Sequence, residues 1–303
     1  MKNLRVPLKI LTEASGGLTS GYIIKAIQDA GHLAIASDID TRCFARFLAD
    51  GFVAMPQSQE QFLWDKIELE LKKNKIDVII PSLDETLLQW AERKQYFSDA
   101  GFYVVLSEPD TISICQDKWK TFLFFKENNI PTPETSLNQV FPLIKPRHGR
   151  GSSGIQRTLT PVDMDGMISQ EIINGVEYTV DVFCDINSEP IYIVPRRRLK
   201  ICEGKSVNSI VEEHDEITRI VRRICSILPF LGPINLQCFD SPDVGVKFIE
   251  INPRIAGGMA LGFAATENWV NLIIESFILG KKPSPQPVKF GLEMRRYYAE
   301  VFF

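Results

Sequence analysis

Over the first hundred residues, short runs rich in β-branched and aromatic side chains alternate with segments of helical periodicity. VPLKIL (6–11), LAIAS (33–37), DVII (77–80) and FYVVL (102–106) read as strands. Between them Ile23, Ile24, Ile27 and Ala30, and then Leu63, Ile67 and Leu71, recur at helical spacing, and a third helix is expected to start near Asp84. Parallel strands need long crossover connections, which helices supply, so this alternation predicts a doubly wound parallel sheet.

The pattern then changes. A polar segment, SEPDTISICQ (107–116), leads into a helix over 117–128 that Asn129, Pro131 and Pro133 stop. FPLIKP (141–146), SGIQRTL (153–159), EYTVDVF (177–183) and PIYIVP (190–195) follow as strands joined by loops rather than long helices, which marks a new domain. Amphipathic helices are expected over 217–228 and 266–279, with KKPSPQP (281–287) a stiff connector to a last strand. A length of 303 residues suits about two domains.

Composition narrows the class. With 45% hydrophobic and 24% charged residues the chain is an ordinary globular protein, and its net charge of −4 lacks the basic footprint of a nucleic-acid or membrane-surface binder. The opening MKNLRVPLKIL has charges among short apolar pieces, and no uncharged stretch approaches the ~20 residues that span a bilayer. Cys43, Cys115, Cys184, Cys202, Cys225 and Cys238 are widely spaced, without C-x-x-C. Reduced, mostly buried thiols and a cytoplasmic location are the expectation.

Three segments carry chemistry. GRGSSG (149–154) is a literal G-x-G-x-x-G, yet it joins two strands instead of opening a helix, which disfavours a dinucleotide site. Ile155 stands where a Walker A loop needs lysine. A flexible hairpin over phosphates remains, with Gly149, Gly151 and Gly154 permitting close backbone approach, Ser152 and Ser153 adding hydroxyls and Lys145 an ammonium. A plain glycine-rich hairpin with a solvated lysine accounts for the same residues. In VKFIEINPRIAGG (246–258), alternation puts Glu250 and Asn252 on one face with Ile249 and Ile251 towards the core. Gln237 in INLQCF (234–239) can add a third oxygen beside them, a set that suits magnesium, although a polar outer sheet face explains E-x-N as well. In QEIINGVEYTVDVF (170–183), Ile172 and Ile173 offer an apolar slot for a base and Glu177 an acceptor for a ribose; the alternative is an ordinary hinge.

In this order, behind a doubly wound unit and a helix headed by Asp117-Lys118, these segments resemble the ATP-grasp superfamily, closest to its carbamoyl-phosphate-synthase-like members and the amino-acid ligases. The resemblance covers nearly the whole chain. It implies a pre-ATP-grasp domain (1–112), a small lobe with the glycine-rich lid (113–174) and a large lobe with the metal site (175–303). It implies that Lys118 and Lys145 contact ATP phosphates, that Gly149, Gly151, Ser152, Ser153 and Gly154 close over them, that Glu171 and Ile172–Ile173 meet the adenine, and that Glu177 takes the ribose. Gln237, Glu250 and Asn252 match the family's Mg2+ (or Mn2+) positions and Arg254 its substrate-phosphate arginine. The implied reaction joins a small carboxylic acid to an amine through an acyl phosphate, releasing ADP and phosphate. Bicarbonate activation, or ATP binding without catalysis, are the alternatives. A homodimer is compatible with the resemblance; nucleic acid and membrane are not expected partners.

One departure stands out. Only fourteen residues separate SGI (153–155) from QEII (170–173), where the family usually has a helix, so the lid is abbreviated. Among substrate clues, Arg196, Arg198 and Lys200 share one strand face, a cationic row able to hold a carboxylate or acyl phosphate, or to deter edge pairing. Arg196 and Arg198 are counted with Lys145 and Arg254 as candidate catalytic cations. Asp38 and Asp40 after the second strand, and Asp84 and Glu85 after the third, either recognise a substrate or cap helices.

Overall fold

A computed structural model describes residues 7–17, 20–149, 151, 153–202 and 205–303. In chain order the elements begin β1 (Lys9–Thr12), α1 (Ser20–Asp29), β2 (Leu33–Asp38), α2 (Ala45–Leu48), β3 (Gly51–Ala54), α3 (Leu63–Asn74), β4 (Val78–Ile80), α4 (Leu87–Glu92), α5 (Lys94–Asp99) and β5 (Tyr103–Val104). Then come α6 (Pro109–Gln116), α7 (Lys118–Glu127), β6 (Thr135–Ser136), β7 (Leu143–Pro146), β8 (Gln156–Arg157), β9 (Met167–Gln170), β10 (Val176–Cys184), β11 (Pro190–Cys202) and β12 (Lys205–Val211). The chain continues through α8 (Asp215–Ile227), β13 (Gly232–Ser241), β14 (Gly245–Asn252), α9 (Ala260–Ala265), α10 (Trp269–Ile273) with a π turn (Ile274–Ile278), and β15 (Glu293–Arg295).

The chain forms two compact units. The first holds the described residues up to Leu106 with Glu267–Pro283 and Tyr297–Phe303. Its five strands are all parallel in the order β3-β2-β1-β4-β5, the doubly wound sheet that the alternation predicts. β3 is an addition, a four-residue edge strand too short to show a period. Ile23, Ile24 and Ile27 of α1 and Ile67 and Leu71 of α3 are buried, as their spacing requires. Asp38 and Asp40 hold their own loops: Gly16 and Asp40 N–H groups donate to Asp38, and Arg42 N–H donates to Asp40. Asp84 and Glu85 lie in the turn before α4.

The second unit holds Ser107–Thr266 and Ser284–Arg296, with a four-stranded sheet β6-β9-β7-β8 and a six-stranded sheet β14-β13-β10-β11-β12-β15. One face of the larger sheet is apolar. Tyr178, Val180 and Val182 of β10 and Ile234, Leu236 and Cys238 of β13 pack there against Ile217, Ile220, Val221 and Ile224 of α8. The polar connector 107–116 is in fact mostly helix: Pro109 starts α6, where its missing N–H costs nothing, and Thr111, Ile112 and Cys115 are buried. The helix expected over 266–279 starts later, at Trp269 under an Asn268 cap, and runs through α10 into the π turn that ends at Ile278, while α9, which ends at Ala265, is an addition. Cys43, Cys115, Cys184, Cys225 and Cys238 are free and buried. No helix among the described residues is long and apolar enough to cross a membrane.

Candidate nucleotide and metal site

The opposite face of the six-stranded sheet is polar. Glu177, Thr179 and Asp181 of β10 alternate with the core residues, and Gln237 and Asn235 of β13 stand opposite Thr179 and Asp181. Gln237 in turn faces Glu250 of β14, and Asn235 faces Asn252. The three oxygen-bearing side chains predicted from sequence therefore lie side by side on two adjacent strands. Their route there corrects the simple alternation. Glu250 pairs with Gln237 and Phe248 with Cys238, so Ile249 is an extra residue in β14, a β-bulge that shifts the side-chain phase by one. Val246 and Phe248 before it and Ile251 after it all reach the core, whereas Ile249 is only half-buried. A carboxylate with carboxamide oxygens is a hard donor set, which fits a small divalent cation of the magnesium type.

The smaller sheet carries the cation. Lys145 on β7 is only 4% exposed, and its ammonium donates to Gln170 Oε1 at 2.8 Å. Gln170 Nε2 donates to Thr135 Oγ1, which fixes the amide so that its oxygen meets the ammonium. Burial lowers the Lys145 pKa to about 8; the Glu250 carboxylate pushes back upward and the Lys118 charge adds to the lowering. Lys145 is thus within electrostatic reach of both the metal-type carboxylate and the second lysine. Gln170 precedes the segment read for adenine, and sequence gave it no role; the signal was its place in MISQ, two residues after buried Ile168 on the same strand face.

Lys118 opens α7 and donates from Nζ to the Gly149 carbonyl at 2.9 Å, while its N–H donates to Arg147 O. Asp117, 2% exposed, caps α7 through Trp119 N–H and accepts two bonds from the Arg147 guanidinium. β7 and β8 are antiparallel, so the glycine loop is a hairpin as expected. Gly149, Gly151 and Gly154 all have positive φ. Ser153 lies in the turn, and Ser152 lies outside the described residues. Between β8 and β9 the chain has no helix, and Gln139 fastens it, donating to Thr160 O and accepting from Val162 N–H.

The remaining candidates are placed as follows. Glu171 accepts from Glu134 N–H, and Ile172 and Ile173 are half-buried in the link to β10. Glu177 receives Arg198 in a close ion pair. Arg254 donates to Asn252 Oδ1 at 3.3 Å. The free cationic row is absent: Arg196 is bound to Asp181, Arg198 to Glu177, and ladder irregularities on both sides of Lys200 end the simple alternation there. Asp181 and Asn235 escaped the sequence reading because their polarity alternates with core residues like any solvated strand face.

Comparison with known proteins gives the same outline. Residues 163–299 match the family described as ATP-grasp in the biosynthetic pathway with Ter operon. The chain carries an ATP-grasp domain. In front of it, residues 13–105 match the PylC-like N-terminal domain. No curated protein matches by sequence. Among solved structures, the ATP-grasp chain is similar to the biotin carboxylase domain of Hydrogenobacter thermophilus 2-oxoglutarate carboxylase, solved with MgADP and bicarbonate, at 14% identity and TM-score 0.74, over 95% of this chain and 74% of that one. It is similar to Staphylococcus aureus N5-carboxyaminoimidazole synthetase complexed with ADP, at 14% identity and TM-score 0.72, over 94% and 80%. It is also similar to the L-amino acid ligase of Bacillus licheniformis, at 16% identity and TM-score 0.67, over 89% and 74%. The ATP-grasp chain spans 27% of a Rhizobium etli pyruvate carboxylase chain that it also resembles. These identities establish the fold, not the reaction.

Proposed function

We infer that the protein is an ATP- and Mg2+-dependent ligase that joins a carboxylic acid to an amine through an acyl phosphate. The observation that carries the reading is buried Lys145, held by Gln170 on the smaller sheet while sensing Glu250, which lies beside Gln237 and Asn252 on the larger one. Nothing in a resting core rewards burying an ammonium; a polyphosphate between the two sheets does. Lys118 and Lys145 hold the phosphates, the 149–154 hairpin covers them, Glu171 with Ile172–Ile173 borders the base, and Glu177 serves the ribose beside Arg198. Gln237, Glu250 and Asn252 hold the metal, which when bound neutralises phosphate charge. The lobes divide at 113–174 and 175–303.

In the reaction a substrate carboxylate oxygen attacks the γ-phosphorus and ADP leaves; the amine then attacks the acyl carbon, and phosphate leaves as the amine loses a proton. The chain's own part is positioning and charge stabilisation, by Lys145 and Arg254 at the transferring phosphoryl group. A second reading rests on the helix-free link between β8 and β9: a less sheltered acyl phosphate suits an ATP-binding module without turnover. A third takes bicarbonate as the acid, as the ligand of the Hydrogenobacter domain suggests. A cytoplasmic location and a homodimer, the state of that domain, belong to the same proposal.

Nucleotide chromatography with MgATP and pooled amino and hydroxy acids, with and without bicarbonate, tests all three. ADP and phosphate that appear only with an acid and amine pool, and vanish in Glu250→Gln, support the ligase. Turnover on bicarbonate alone selects the third reading, and AMP with pyrophosphate overturns the acyl-phosphate route.

A further inference from the structure

Arg196 and Asp181 form the most buried ion pair of the second unit's polar sheet face, 1% and 0% exposed. Arg196 Nε donates to Asp181 Oδ2 at 2.6 Å and Nη2 to Oδ1 at 2.8 Å, a two-pronged geometry that uses both carboxylate oxygens. Nη1 reaches Ser209 Oγ at 3.4 Å. A substrate anion would have to displace that carboxylate in a place closed to water. Desolvation offsets most of the attraction in such a pair, so fold stability alone is a poor reason for it.

Its surroundings supply a better one. An added Cβ at Gly258 would lie 2.9 Å from Arg196 Nη2, and one at Gly262 would lie 2.8 Å from Asp181 Oδ2. The backbone after Arg254 therefore rests directly on the pair, and only glycine allows that approach. From elsewhere in the same unit Arg296 donates to the Gly257 carbonyl, so the Gly257–Gly258 turn is gripped at two points. Asp181 Oδ1 also accepts from Asn235 Nδ2 at 2.7 Å, and Asn235, 1% exposed, stands opposite Asn252.

We propose that Arg196 and Asp181 are positioning residues: their pair is a template that fixes the Gly257–Gly258 turn and Asn235, and thereby sets Arg254 and the Asn252 carboxamide for metal and phosphate. The inference rests on the metal role given to Asn252 above. It assigns Arg196 an action through the backbone rather than on substrate, unlike its place among the candidate catalytic cations.

The test uses Mn2+ and ADP as probes, by calorimetry on the whole chain. Gly258 has no positive φ, so Gly258→Ala reports the contact with Arg196 and not backbone strain. Expected are near-normal melting, metal-free ADP affinity within about twofold of the wild type, and Mn2+ affinity of the ADP complex reduced about tenfold or more in both Arg196→Lys and Gly258→Ala, the range seen when groups supporting a metal ligand are lost. Because lysine is slimmer, the double variant is expected to lose no more than either single one, a non-additivity that marks direct contact. Unchanged Mn2+ affinity in both variants, or metal-free ADP binding that falls in parallel with it, overturns the template. Should the wild type bind no Mn2+ with ADP, or Asn252→Ala leave that binding intact, the failure lies in the metal-site reading itself.

Discussion

Gln237 stands directly opposite Glu250 across the β13–β14 ladder, one residue from the bulge at Ile249. Side chains opposed in this way lie about 5 Å apart at Cβ, close enough to share one cation. Glu250→Gln keeps the shape and removes the charge, so Mn2+ affinity in the ADP complex should fall at least about tenfold while the fold persists, as calorimetry and melting would show together. Equal affinity in the variant would remove Glu250 from the site.

Lys145 gives the nucleotide complex a pH signature. Its ammonium is lost above about pH 8, so metal-free ADP affinity should be flat below that and fall up to about tenfold per unit above it. Lys145→Met should bind more weakly and lose the slope. The sign for stability is opposite: an unfolded lysine titrates near 10.5, so between about 8 and 10.5 the unfolded chain holds the extra proton and wild-type stability gains relative to Lys145→Met as pH rises. Parallel denaturation curves across that window would refute it.

Asp117 joins the head of α7 to the base of the glycine hairpin. Burial alone would raise its carboxyl, but Arg147 and the Trp119 N–H outweigh it and hold the group below the usual carboxylate range. Its contribution is present above the unfolded value near 4 and fades as pH falls through the folded one. Asp117→Ala loses a helix cap and strands Arg147, a cost of about 2 kcal/mol in urea unfolding near pH 7 that should shrink at pH 3.

In the first unit Glu13 accepts from Ser82 and Leu83 N–H, Thr86 Oγ1 and the Trp90 indole, the last at 2.9 Å. Burial dominates these donors and raises its carboxyl. Such a group stabilises fully below the unfolded value near 4.3 and progressively less as pH rises through the folded one. Stability followed by tryptophan fluorescence should therefore decline more steeply from pH 4 upward in the wild type than in Glu13→Gln; matching slopes would rule this out.

Much of this was readable in the chain because it depends on period. The isoleucines of α1 and α8, the strands β1, β2, β4 and β10, and the joint placement of Gln237, Glu250 and Asn252 follow from spacing. What escaped depends on partners far along the chain. Ile249 sits in a bulge that only β13 reveals, and Arg196 and Arg198 looked like free cations until Asp181 and Glu177 were beside them. Pro109 disguised α6 by giving a helix a turn-like opening, and β3 was too short to announce itself.

The bulge lets the metal strand carry one residue more than a regular ladder accepts. With Ile249 kept but paired without the bulge, a regular ladder would either turn Glu250 and Asn252 towards the apolar face or move Val246 and Phe248 out of it. One codon deleted at Ile249 would instead remove the need for the bulge and leave Glu250 opposite Gln237 and Asn252 opposite Asn235. A homologue one residue shorter between Phe248 and Asn252 can therefore present the same ligands on the same face.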